Sequence, residues 1–333
     1  MNKRSSLFDN IKAVMLILVA IGHTINAYKA DYGDICRIIM QYVYVIHMPA
    51  FSFVTGYFSK DPEKSARKAV KNVLIPFFIF DLAYSFQSVF MAYQASGKWD
   101  FGIFRSCILL PANAFYYLVC VFFWKYFQRD LMKLRYPVST AILMSLLVSL
   151  IDDNRYHIAY GSVFTLMPFF LLGVFCTREH IEKIRKIPRI FGPAMLALAV
   201  IPAVYLPYHY RNTRFTYESS GIAPVQGMLY RLLYYLIASC MIAVVINLMT
   251  EKKTILSRIG ENSIFVYGGL TFAAPHLYVA IEKDLPVKLS MLVNILLIVV
   301  FCTAAAFLFS FSWERKAFGK LTDGIYGIFF KEE

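Results

Sequence analysis

Charge is what this chain has least of. Only 17% of its 333 residues are Asp, Glu, Lys or Arg, while 59% are apolar. A soluble domain of this size is near a quarter charged and less than half apolar, so a soluble globular fold is excluded. Acids are scarcer than bases, 21 against 34, and the net charge is +13. Such an excess suits nucleic acid, but basic loops on the cytoplasmic face of a membrane protein account for it better. Cysteine is sparse and unpatterned. Cys36, Cys107, Cys120, Cys176, Cys240 and Cys302 lie mostly in apolar runs without a C-x-x-C spacing. They read as small buried hydrophobes rather than a disulfide framework. Neither H-x-x-x-H nor H-x-x-E occurs, so no metal site is expected. Low-complexity tracts, a second domain and a clear internal repeat are also missing. The first apolar run lacks a small-residue cleavage site and ends in Asn26 to Lys29, so it reads as a retained helix.

What the chain does have is apolar runs near the ~20 residues that cross ~30 Å of hydrocarbon. Ten candidate spans cover 11–28, 38–58, 73–95, 108–126, 138–151, 161–177, 192–209, 225–248, 262–281 and 287–312. Pro76, Pro168, Pro202 and Pro275 fall in or at the ends of spans and read as kinks. Lys and Arg divide unevenly between the alternating loops: 23 on the side of 59–72 and 178–190, nine on the other. The richer side is cytoplasmic by the positive-inside rule. The expected fold is all-α: a polytopic membrane bundle of about ten helices, both termini cytoplasmic, one domain over 1–333.

Two residues of the first span stand out. Lys12 and His23 are separated by ten residues, roughly 16 Å along a helix axis. One cation lies at the membrane edge and one imidazole well inside, where an ionisable group is functional by default. His47, on the next span, falls at a similar depth, roughly 12–15 Å below the outer surface. Consecutive antiparallel helices can bring both rings to one cavity. His47 reads equally as a structural hydrogen-bonding group and as a catalytic one. Imidazole can take a proton from an attacking hydroxyl, or attack an acyl carbon itself. Asp9, three residues before Lys12, either pairs with it or caps the helix start. Asp81 and Arg231, the other charges inside apolar runs, need internal partners or an aqueous cavity. The stretch from Lys60 to Lys71 holds five cations in twelve residues. It has a plain reading, topology and anionic lipid, and a functional one, a phosphate clamp in which Lys68 and Lys71 face one ligand.

These residues resemble the acyltransferase 3 family of integral membrane O-acyltransferases, particularly its branch related to fucose 4-O-acetylase. The family opens its first helix with an acid, then Arg or Lys, ten residues and His; here this reads Asp9-Asn-Ile-Lys12 … Ile-Gly-His23. A second-helix phrase F/I-H-M-P-L-F-F-F-x-S-G-Y is matched by Ile46-His47-Met48-Pro49-Ala50-Phe51-Ser52-Phe53-Val54-Thr55-Gly56-Tyr57. A basic stretch before L-I-P matches Arg67-Lys68 to Lys71 and Leu74-Ile75-Pro76, and a P-F-F-L-L-G phrase matches Pro168 to Gly173. The chain departs from the family twice: Tyr116-Tyr117-Leu118 replaces W-F-L, and Leu270 stands where a late histidine is usual.

The resemblance implies transfer of an acyl group, usually acetyl, from cytoplasmic acyl-CoA to a sugar hydroxyl of a cell-envelope or exported glycan. It implies acetyl-CoA as donor and a glycan or lipid-linked saccharide as acceptor, in a multi-pass protein of a bacterial plasma membrane surrounded by lipid. No nucleic-acid partner and no metal are expected. His23 would be the general base, with an acyl-histidine intermediate as the alternative. Lys12 would anchor the donor side or stabilise developing negative charge, with His47 auxiliary. Lys12, Arg67, Lys68 and Lys71 would meet the anionic CoA. Acceptor choice would lie in 152–160 and 208–224, which hold Asp152, Asp153, Asn154, Arg155, Tyr156 and Arg211 to Glu218. The rival reading is a transporter or glycan flippase, which calls for inverted repeats and broken helices; a non-catalytic sensor or scaffold is the third.

Overall fold

A computed structural model describes residues 6–104, 113–151, 160–207, 216–280 and 290–330. Among them the chain is helical and contains no strand. The helices are α1 (Ser6–Ala27), α2 (Lys29–Tyr57), α3 (Pro62–Ala69), α4 (Ile75–Ser96), α5 (Tyr116–Leu131), α6 (Pro137–Val148), α7 (Tyr160–Phe175) and α8 (Arg178–Lys186). They continue with α9 (Phe191–Leu198), α10 (Val200–Tyr205), α11 (Pro224–Leu248), α12 (Ile255–Glu261), α13 (Ser263–Val279), α14 (Met291–Leu308) and α15 (Ser312–Phe329). This is an all-α membrane protein. Each of the ten expected spans overlaps a helix.

Five helices are individually long and apolar enough to cross a bilayer: Ser6–Ala27, Gly33–Tyr57, Pro62–Ser96, Pro224–Leu248 and Met291–Leu308. The pair Gly161–Phe175 and Arg178–Lys186 makes a sixth if counted as one, although it bends by 96°. The bend has a local cause. Thr177 caps α8 in a reciprocal box with His180, so a new helix starts where an apolar run ends. Pro202 has no N–H to donate to the Leu198 carbonyl, and α9 stops at Leu198. Between α3 and α4 the backbone widens into a π-helical turn over Val70–Leu74, just ahead of Pro76. In α2 the chain kinks at Gly33, whose φ of 45° suits only a residue without Cβ.

The chain divides into two compact units. The first comprises Met1–Val54, Phe175–Asn212 and Val225–Lys316. Its centre is α1, which packs against α12, α13 and α14. Asn10 is fully buried there with its amide completely used. Its Nδ2 donates to the Thr250 and Lys252 carbonyls at 2.9 and 3.0 Å. Its Oδ1 accepts from the hydroxyls of Thr254 at 3.0 Å and Ser257 at 2.7 Å. One buried side chain thus ties α1 to the start of α12, where an unsatisfied amide would cost about 1–3 kcal/mol. Gly260 lets the same two helices touch, since a Cβ there would run into the Asp9 carbonyl. Elsewhere in this unit Arg185 donates to the Ile246 and Met249 carbonyls at 3.1 and 2.7 Å, closing the end of α11.

The second unit comprises Thr55–Val174, Thr213–Pro224 and Ala317–Glu333. Here Trp124 is buried, and its indole donates to the Val163 carbonyl at 2.8 Å. That bond fixes the rotation of α5. Gly56 accommodates the Phe170 carbonyl, which would collide with any Cβ. The C-terminal helix joins this unit through Phe318, which stacks on Phe80 at 4.9 Å.

Candidate active site

Within the first unit, α1 carries Asp9, Lys12 and His23 on one continuous helix. Asp9 lies inside the first turn rather than ahead of it, and pairs with Lys12 at 2.7 Å. The pair is largely shielded, with side-chain exposures of 5% and 18%. Lys12 therefore stands beside a carboxylate that holds its ammonium in place.

His23 is half-buried and His47 is buried. Tyr44 lies between them. Its ring meets His47 edge-on, centroids 4.7 Å apart, and His23 at 6.4 Å, also edge-on. Two imidazoles from different helices are thereby linked through one phenol. Gly22 makes room for it: a Cβ at that position would be only 3.0 Å from the Tyr44 ring. His47 Nδ1 lies 2.8 Å from the Val43 carbonyl. A carbonyl only accepts, so Nδ1 carries the proton and Nε2 is the basic nitrogen of neutral His47. The carbonyl also fixes that ring's orientation. Tyr44 escaped the sequence reading, although its place three residues before His47 put it on the same helix face.

The basic stretch belongs to the second unit. Asp61 caps α3 by accepting from the Lys64 N–H at 3.0 Å. Arg67 and Lys68 occupy the last turn, where the helix dipole favours cations. Both are exposed. Lys71, past the start of the π-helical turn, pairs with Asp323 of α15 at 2.9 Å and lies 5.6 Å from the Tyr326 ring. Asp81 is buried on α4, and Arg231 is buried on α11 of the first unit.

Of the residues expected to govern the acceptor, Asp152 to Tyr156 and Arg211 to Phe215 lie outside the described residues. Tyr217 is buried, and its hydroxyl donates to the Leu146 carbonyl at 3.2 Å. Leu270, in the place of the late histidine, is buried in α13. His276 lies in the last turn of that helix. The first unit also has an open groove of about 440 Å³, lined by Leu198, Pro202, Leu236 and similar apolar side chains. Neither His23 nor His47 contributes to it.

Comparison with known proteins places this arrangement in a family. The model of an acyltransferase domain matches residues 6–311. Neither curated proteins nor solved structures yield a match. The matched region contains both histidines, Tyr44, the Asp9–Lys12 pair and the basic stretch, and the chain belongs to the acyltransferase 3 family of membrane acyltransferases.

Proposed function

We propose that this acyltransferase moves an acetyl group from cytoplasmic acetyl-CoA to a hydroxyl of a cell-envelope or exported sugar, as in the fucose 4-O-acetylase-like branch of its family. The whole of 1–333 acts as one multi-pass domain of a bacterial plasma membrane, with both termini cytoplasmic. The observation that supports this most is the His23–Tyr44–His47 array, reached from Lys12 along a single helix. His23 takes the proton from the acceptor hydroxyl as its oxygen bonds to the thioester carbon. The carbon–sulfur bond then breaks, and the imidazolium returns the proton to the CoA thiolate. Lys12, held by Asp9, faces the negative charge that develops on the thioester oxygen or anchors the donor. His47 assists through Tyr44. Arg67, Lys68 and Lys71 hold the phosphates of CoA, on the same face of the membrane as the donor.

The test is transfer of labelled acetyl from acetyl-CoA to candidate glycans by protein purified in detergent. His23→Ala should lower turnover by about 10²–10⁴-fold while elution volume and thermal midpoint stay at wild-type values. Near-normal transfer by that variant would remove His23 from the mechanism. Absence of both transfer and thioester hydrolysis in the wild type, with several glycans offered, would count against the acetyl-CoA reading itself.

A further inference from the structure

The cations of the basic stretch have different surroundings. Lys71 is engaged by Asp323. For Arg67 and Lys68 no carboxylate lies within ion-pair distance among the described residues. The helix against which they sit is α5. Helix α3 packs on it through a face that includes the small buried residues Ser65 and Ala69. Glu63 of α3 bridges Arg129 of α5 at 3.4 Å. Five residues further along α3 comes Lys68, and four residues back along α5 comes Lys125. Because α3 packs on α5, Lys68 and Lys125 fall on neighbouring parts of the same helix pair.

Lys125 is half-buried and close enough to Lys68 for the two charges to repel each other. Among the described residues no carboxylate lies within ion-pair distance of either. Glu63 is used by Arg129, and Asp130, the remaining acid at this end of α5, pairs with Lys133 at 2.6 Å. Two ammonium groups within electrostatic reach of each other, one partly withdrawn from water, are unfavourable by themselves and favourable around an anion. Lysine, a compact point charge with three donors, suits a phosphate oxygen that needs no fixed fork. The neighbouring Trp124–Val163 bond holds this part of α5 in register.

We propose that Lys125 and Lys68 form a two-lysine site for a phosphate or diphosphate group, with Arg67 at its rim, and that this group belongs to the nucleotide end of the acyl donor. The assignment to the donor rests on the acetyl-CoA reading; the anion site does not. The same phosphate chemistry is found in anionic lipid headgroups, which basic juxtamembrane segments attract.

Binding is measured on wild-type protein and on Lys125→Gln and Lys125→Arg, each checked for unchanged elution and thermal midpoint. Three probes are used: inorganic pyrophosphate, CoA, and nanodiscs with or without phosphatidylglycerol. The expected result is that Lys125→Gln weakens pyrophosphate and CoA about tenfold and Lys125→Arg restores most of the loss, by analogy with loss of one charge-assisted contact. In turnover, Lys125→Gln should raise KM for acetyl-CoA with kcat within about twofold, the mark of lost uniform binding. Equal pyrophosphate binding by wild type and Lys125→Gln, or none by either, would overturn the site. An effect of Lys125→Gln confined to phosphatidylglycerol nanodiscs would overturn its assignment to the donor. Lys125-dependent pyrophosphate binding without any CoA binding or turnover would uphold the anion site and dismiss the acetyl-CoA reading.

Discussion

Tyr44 shows how a candidate site can depend on a ring that carries no charge signal in the sequence. It touches both histidines through its ring edges and faces, a kind of contact worth about 0.5–1.5 kcal/mol per pair. Tyr44→Phe keeps the ring and should keep most of the transfer activity. Tyr44→Ala leaves a void between the imidazoles and should lower kcat about 10–100-fold, because misplacing a catalytic group by an ångström is enough for such a loss. Steady-state kinetics on the two variants decide the matter: equal defects would mean that the hydroxyl, not the ring, matters. His23 and Lys12 stand out as candidates in the sequence because an ionisable residue in an apolar run is rare and costly. Tyr44 was not, because one tyrosine among 23 carries no such signal. Lys125 escaped notice for a related reason. It is one of 34 cations, and only the packing of α3 on α5 brings its helix against that of Lys68.

At the scale of elements, the apolar runs located the helices, while the bends came from features a hydropathy reading passes over. The capping box at Thr177 and His180 starts α8 at 96° to the helix before it. Pro202 ends α9, and Pro76 follows a widened turn that holds Lys71 and succeeds the α-helical turn holding Arg67 and Lys68. Close approach is the other feature that hydropathy does not carry. Gly260 sits against the backbone of Asp9, the residue that pairs with Lys12. Gly260→Ala forces α1 and α12 apart at that point. It should destabilise the protein by about 1–3 kcal/mol, seen as a lower thermal midpoint in detergent. The shift should also disturb the shared Asn10 network, so acyl transfer should fall with stability. An unchanged midpoint would show that the two helices can separate there at no cost.

For the whole molecule, the uneven Lys and Arg distribution makes a prediction about orientation. Lys64 and Lys98 are both exposed and lie on opposite sides in the proposed topology. In intact cells, Lys98→Cys should react with a membrane-impermeant maleimide and Lys64→Cys should react only after permeabilisation. The reverse pattern would invert the topology and move the donor to the wrong side. The compact units also cut across the order of the chain. Residues 1–54 join 225–316 in one, and 317–333 return to the other.

By itself the sequence determined that this is a helical membrane protein of the acyltransferase 3 family. Spanning length, charge placement and the Asp9-x-x-Lys12 … His23 phrase are all properties of contiguous residues, so they can be read along the chain. Only the tertiary structure decided that Tyr44 stands between the two histidines, that Asn10 closes the gap between residues 10 and 250–257, and that Lys71 is taken by Asp323 while α3, with Lys68, packs on α5, with Lys125. Each of these joins positions on different helices. Their contact depends on how the helices are rotated and how closely they approach, and that is set by glycines, buried amides and caps rather than by hydrophobicity.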